Sequence, residues 1–291
     1  MNHEHLRTLM AIVDEGSFEG AAEALGITPS AVSQRVKALE TDVGRVVVER
    51  VTPPRPTVAG ETLLRLARHQ QVLLAEARAE LDESPGRLAL GVAVNADSLA
   101  TWFGEVLTEI AAWDDVVLRL RVDDQAHTRA LLRGGDVLAG VTEQAQPVAG
   151  CRTVPLGEMV YRPVCSRALA ERHRDGRGVQ WATLPVVRFN VKDDLQAAHL
   201  AARGASAEVV HEVPASEAFA QAVLAGLGWG MLPEQQATPA DLARHDLVVL
   251  PGRPVRVALQ WQVWHLGSPR LERLTETVVE VARRRLAQAA G

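Results

Sequence analysis

The stretch "SFEGAAEALGITPSAVSQRVKALE", Ser17 to Glu40, holds two helical patterns separated by a short turn. Ala21, Ala22 and Leu25 repeat at helical spacing, and Gly26 supplies a backbone position free to bend where that helix must end. Thr28 offers a hydroxyl to cap the next helix, and Pro29 fits its first position, where the missing N–H breaks no hydrogen bond. That helix, about Pro29 to Glu40, separates its faces. Val32, Val36 and Leu39 share one side, and Ser30, Ser33, Gln34 and Lys37 recur on the other. Two short helices across so tight a turn make a helix-turn-helix unit.

The polar row decides between two readings. It offers hydroxyls, an amide and an ammonium, with no carboxylate. Such a row fits the major groove, where Gln34 can pair bidentately with adenine and its neighbours can meet bases or phosphates. The plainer reading is a solvated helix face. The flanking sequence favours the first. Upstream, Leu6, Leu9, Met10 and Val13 form another helical face, ending near Gly16. Downstream, in "RVVVERVTPPRPT", Val46 to Val48 read as a strand, and a Pro-rich tip carries Arg50 and Arg55 as a wing toward phosphates. Thr57 then caps a long helix over 58–82, with Leu63, Leu66, Leu73, Ala77 and Leu81 as an interrupted apolar stripe. The stripe suits a helix-to-helix dimer contact or packing on its own domain; periodicity leaves both open.

Net charge argues against a nucleic-acid binder at first sight: 31 Lys plus Arg against 36 Asp plus Glu give -5 over 291 residues. Distribution changes the reading. Residues 28 to 58 hold Arg35, Lys37, Arg45, Arg50 and Arg55 against Glu40, Asp42 and Glu49, so a basic face there is small and local. Hydrophobic residues are 47% and charged residues 23%, a globular balance. Two cysteines, Cys151 and Cys165, make no disulfide framework or zinc site and suggest reduced thiols. The N-terminus lacks the basic-then-apolar order of a signal peptide, and no run of 18 apolar residues suggests a membrane span. The expectation is a cytoplasmic protein with no membrane partner.

The pattern changes at "DESPGR", residues 82–87. "LALGVAV", "VVLRLRV" and "VLAGV" read as strands, with helices at about Ser98–Trp113 and Ala126–Arg133 between them. A second run follows: "MVYRPVC", "PVVRF", a helix from Asp193, "AEVVHEV", a helix from Ser216, and "WGMLP". "VALQWQVWHL" and a helix over Leu271–Leu286 close the chain. The expected organisation is parallel α/β, in two lobes crossed twice by the chain, with a cleft between them.

Short motifs interrupt the elements where a cleft would lie. "NADSL", Asn95 to Leu99, follows a strand and opens a helix, so backbone N–H groups and the Ser98 hydroxyl can receive a carboxylate. Asp97 suits an ammonium group or caps that helix. Asp123 and Asp124 end the next strand; one of them facing the cleft would suit a cationic side chain, and otherwise they are a cap or solvated turn. Thr142 and Ser216 are further candidates for a ligand's polar ends. Chemistry is not assembled: the histidines show no HExxH spacing, neither cysteine has a C-x-x-C partner, and "GLGWG" does not match G-x-G-x-x-G. No catalytic residues, no metal and no cofactor are expected. An enzyme acting on a small amino acid through Asp123, Asp124 or His127, or a solute-binding protein, are the alternatives.

"SFEGAAEALGITPSAVSQRVKALETDVGRVVVER" followed by "PTVAGE" resembles the LysR-type transcriptional regulators, and the resemblance extends over essentially the whole chain. "NADSLATWF", "DDQAHTRALLRGGDVLAGVT" and "GLGWGMLPE" are similar to the subgroup that governs export of basic amino acids. The resemblance implies an α+β multidomain chain. Residues 1–57 form a winged helix-turn-helix and 58–84 a long linker and dimerisation helix. Residues 88–291 form a two-lobed α/β, periplasmic-binding-protein-like effector domain, with lobe I at 88–160 and 267–291 and lobe II at 161–266. It implies double-stranded promoter DNA as partner, contacted by Thr28, Pro29, Ser30, Ser33, Gln34, Lys37, Arg50 and Arg55. It also implies a homodimer or homotetramer, contact with RNA polymerase, and lysine or arginine as effector near Asn95, Asp97, Ser98, Asp123, Asp124, Thr142 and Ser216. The tip "TPPRP" is more Pro-rich than the common family form, which puts its phosphate contacts in question.

Overall fold

The computed structural model describes residues 1–81, 86–122, 125–143, 146–176 and 178–288, with the backbone alone at 125–127. The N-terminal head is built from α1 (His3–Glu15), α2 (Phe18–Leu25), α3 (Pro29–Val43), the hairpin β1 (Val48–Glu49) and β2 (Arg55–Pro56), and the start of α4 (Val58–Glu80). Hydroxyls cap α2, α3 and α4, the last two as the sequence predicts. Ser17 accepts from the Gly20 N–H at 2.9 Å, Thr28 from Ala31 at 3.2 Å and Thr57 from Gly60 at 3.1 Å. Gly26 ends α2 with φ 65, a left-handed position that turns the chain toward α3. Leu9, Ile12, Ala21, Val32, Val36 and Leu39 meet in one core, completed by Leu63, Leu64 and Ala67 of α4.

Three expectations change here. Helix α3 runs one turn past Glu40, to a cap at Gly44. The strand is Val48–Glu49: Val46 is exposed, whereas Val47 and Val48 enter the core, because the Gly44 turn and the Glu40 carboxylate, which accepts from the Val47 N–H at 3.0 Å, fix the chain's re-entry. The α4 stripe also divides. Leu63 belongs to the head core and Val72 to the effector-domain core, while Leu73, Leu74 and Leu81 are exposed.

The remainder begins with β3 (Leu88–Val94), α5 (Ala96–Ala100), α6 (Phe103–Ile110), β4 (Val116–Val122), α7 (Gln125–Gly134) and β5 (Ala139–Thr142). The single helix expected over Ser98–Trp113 is thus two, broken where Thr101 leaves helical geometry and Trp102 and Phe103 turn into the core. β6 (Cys151–Ser166) then leads to the second lobe. That lobe holds α8 (Arg167–Arg172), the hairpin β7 (Arg174–Asp175) and β8 (Gly178–Val179), β9 (Val186–Arg188), α9 (Leu195–Ala201) and β10 (Val210–Glu212). It continues through α10 (Ser216–Leu224), β11 (Gly230–Pro233), α11 (Pro239–Arg244) and β12 (Leu247–Val249). β13 (Val255–Trp264) returns to the first lobe, and α12 (Pro269–Arg285) packs there.

The sheet is mixed, not parallel throughout. Its order is β11-β6-β13-β5-β3-β4, with β12 also on β6. β3 is parallel to β4 and β5, and β9 to β10, as the crossover helices require. β13 lies antiparallel to β5 and β6, because these two strands carry the chain between lobes in opposite directions. Tyr161 pairs with Val255 on this double bridge, which sets it beneath the cleft. Among the described residues no helix is long and apolar enough to cross a membrane.

Candidate functional site

Two surfaces follow from this fold. On the head, α3 lays Val32, Val36 and Leu39 into the core and turns Ser30, Gln34 and Lys37 outward, with Ser33 half-buried beside them. Thr28 and Pro29, at its first turn, are exposed. Arg35, which the spacing places off the ridge, pairs with Glu4 at 3.1 Å and braces α3 against α1. The wing brings Arg50 and Arg55 to the surface, with the Arg50 guanidinium 5.7 Å from the Phe18 ring. The ridge and wing therefore lie on the same small head, and both expose the groups that meet phosphates and base edges.

Between the lobes lies a cavity of about 1080 Å³. Asp97 lines it and ties its walls together. Tyr161 donates its hydroxyl to one carboxylate oxygen at 2.8 Å, and Ser216 donates to the other, also at 2.8 Å. Three segments meet in these two bonds: the start of α5, the bridge strand β6 and the start of α10. Burial pushes the Asp97 carboxyl above its ordinary value; the two hydroxyl donors act against this, and the negative charge of Asp193 adds to it. Tyr161 is held well above its ordinary value by burial and by the adjoining Asp97.

Asn95 lines the cavity and caps α5, accepting from the Ser98 N–H at 2.8 Å. The capping role offered for Asp97 thus falls to Asn95, leaving Asp97 to join the lobes. Ser98 and Thr142 depart from expectation. Both side chains are fully buried (0% exposed) away from the cavity wall, the Ser98 N–H is taken by its cap, and Thr142 lies 3.4 Å from Gln262 in the sheet. Asp123 and Asp124 lie outside the described residues.

The structure adds residues that sequence reasoning passed over. Glu143, Asp193, Asp194 and Glu217 line the cavity together with Lys192. Asp193 was legible only as a helix start, and its carboxylate accepts from the Phe189 and Leu195 N–H groups. Tyr161, the single tyrosine of the chain, sits within "MVYRPVC", which reads as plain core strand. At the far wall α10 begins at Ser216 with no side-chain cap, so its first-turn N–H groups are available beside the cavity.

Comparison with known proteins covers both parts of the chain. Residues 3–61 match the bacterial regulatory helix-turn-helix protein, lysR family, and residues 81–287 match the LysR substrate binding domain. A lysine export transcriptional regulatory protein, LysG, of Corynebacterium efficiens is 50% identical over 286 residues, covering 97% of this chain and 98% of that protein. A full-length LysG structure from Corynebacterium glutamicum with bound effector arginine is 46% identical, with a TM-score of 0.83 over 99% of this chain and 100% of the other. The ArgP structure from Mycobacterium tuberculosis is 43% identical, with a TM-score of 0.90 over 99% of this chain and 100% of that one. The chain belongs to the LysR family of bacterial transcriptional regulators.

Proposed function

We propose that this protein is a sequence-specific DNA-binding transcriptional regulator that senses a basic amino acid, arginine or lysine, and controls a gene for amino acid export. The observation that carries the ligand class is the charge of the cleft. Asp97, Glu143, Asp193, Asp194 and Glu217 line it, against Lys192 as the one ammonium among the described lining residues. A basic amino acid brings two cations and one carboxylate, so it complements this wall better than a neutral one does. Asp97 receives an ammonium or guanidinium, in place of or beside the Ser216 hydroxyl. Lys192 and the uncapped start of α10 are suited to the ligand's carboxylate. The names of the relatives, a lysine export regulator and a LysG with bound arginine, support the same class.

In the head, Ser30, Ser33, Gln34 and Lys37 enter the major groove of promoter DNA, with Thr28 and Pro29 at the end nearest a phosphate and Arg50 and Arg55 on the backbone beside it. The working division is a head at 1–57, a linker at 58–84 and an effector domain at 88–291. The exposed Leu73 and Leu74 of α4, with Leu81 at its C-cap, fit a second copy of the chain, and a twofold protein matches a twofold operator. The compartment is the cytoplasm, where promoter and metabolite coexist.

Calorimetric titration of the purified protein tests the ligand class. Arginine and lysine are expected to give saturable heat, and leucine and glutamine none. Equal affinity for neutral and basic amino acids, or no heat with either basic one, rejects it.

A further inference from the structure

The linker helix does more than carry the head away from the first lobe. It lies against that lobe. Arg68 of α4 keeps only 16% of its side chain exposed, and its guanidinium is shared between two domains. One nitrogen lies 3.1 Å from Oδ1 of Asp14, in the last turn of α1. The other lies 2.7 Å from Oδ1 of Asp136, just past α7, and donates to the Gly134 carbonyl at 3.4 Å. Nearby on the same helix, Arg65 donates to the Arg133 carbonyl at 2.8 Å, and its guanidinium stands 5.7 Å from the Trp264 ring. Trp264 in turn donates to the Leu132 carbonyl at 3.0 Å and meets the His69 ring of α4 edge-on at 4.4 Å.

Three successive carbonyls at the end of α7 thus accept from outside their own helix, two of them from arginines of the linker. A helix C-terminus carries partial negative charge and lacks internal donors, so a pair of guanidinium groups is the complement it needs. The fit is close. Gly135 takes φ 73, and a Cβ there would stand 2.9 Å from the Arg65 Cα, so the two segments meet at a distance that only glycine permits.

The same helix reaches toward the cleft. α7 follows β4, whose last residue, Val122, lines the cavity, and it packs on β5, which ends one residue before the cavity-lining Glu143. A movement of β4 and β5 at the cleft is therefore a movement of α7, and the fork of one guanidinium cannot keep Asp14 and Asp136 together once they shift apart.

We propose that Arg68 tethers the winged head to the first lobe through Asp14 and Asp136, and that occupation of the cleft alters this tether through α7. The tether stands on the contacts alone; its response to ligand rests on the sensing function proposed above. The test uses the full-length protein, with Arg68→Ala and the size-preserving Asp136→Asn, in three measurements. These are hydrogen exchange at residues 131–137 and at the end of α1, arginine affinity by calorimetry, and affinity for a duplex selected by the wild-type protein, with and without saturating arginine. Both variants are expected to exchange faster at both segments while binding arginine within about twofold of wild type. Their arginine-induced change in DNA affinity, on the order of 5- to 150-fold for an ordinary coupling, is expected to shrink to about twofold. Unchanged exchange at either segment overturns the tether, and faster exchange with an undiminished response to arginine overturns its coupling. Failure of the wild-type protein to bind arginine strikes the sensing function alone, since the exchange data still decide the tether.

Discussion

The ridge of α3 and the interlobe cleft put polar groups where a partner can reach them, by opposite routes. The ridge is one helix: Ser30, Ser33, Gln34 and Lys37 lie within a few turns of chain and are held by Val32, Val36 and Leu39 behind them. The cleft is an assembly: Asp97 meets Tyr161 from 64 residues away and Ser216 from 119. A surface of the first kind is rigid as soon as its helix packs. One of the second kind exists only while two lobes keep their distance, which is what allows it to respond to a ligand.

The comparison breaks most severely if the cleft does not depend on Asp97. Asp97→Ala is expected to cost about 2–5 kcal/mol of arginine binding, the range for removing one partner of a buried charge pair, with DNA binding in the absence of ligand unchanged. Calorimetry and a binding isotherm check the two halves. Behind the ridge, Leu39→Ala removes a fully buried side chain and is expected to lower the stability of the head by about 2–5 kcal/mol, read from its thermal or urea unfolding, with arginine affinity preserved. On the ridge itself, Gln34→Ala is expected to cost about 1–3 kcal/mol on the preferred sequence and to relax one base position, leaving nonspecific binding intact.

Acid sharpens the contrast. Because the folded Asp97 carboxyl titrates above its ordinary value, the native state holds its proton more tightly than the unfolded chain does. Its burial therefore disfavours folding above that raised value, and the disfavour fades as pH falls toward the ordinary carboxylate value. A cationic ligand needs the anion, so arginine affinity is expected to be flat above the raised value and to fall by up to about tenfold per pH unit below it. Asp97→Asn removes this slope, and the ridge has no counterpart to it. The smallest effect is on the wing. Arg50→Ala is expected to weaken binding to all sequences alike and to lower the salt slope by about one, measured from isotherms at several salt concentrations.

These two regions also differ in how far sequence alone reveals them. The head was legible because its signals are local: Thr28 and Pro29 at the start of α3, Thr57 at the start of α4, Gly16 and Gly26 at the ends of α1 and α2, and a period of apolar residues between. What failed there were edges, such as the strand beginning at Val48, whose entry is fixed at Val47 by a Glu40 side chain seven residues back. In the effector domain the elements were legible but their pairing was not. Alternating strands and helices predict parallel neighbours, whereas β6 and β13 cross between lobes and pair antiparallel. The motif at Asn95–Ser98 pointed to the cleft, yet which of its side chains faces the cavity depends on the turn that Asn95 caps. Tyr161 carried no local signal at all. Its role comes from lying on the bridge strand opposite Asp97, a fact of tertiary structure.

The most direct test is selection of duplexes from random sequence by the purified wild-type protein and by the Gln34→Ala variant, each with and without arginine. The wild-type protein is expected to enrich a twofold motif whose affinity or spacing changes with arginine, and the variant to lose discrimination at one position in each half-site. Enrichment of no sequence, or the same motif with the same discrimination from both proteins, would contradict the reading of α3 as the helix that reads DNA.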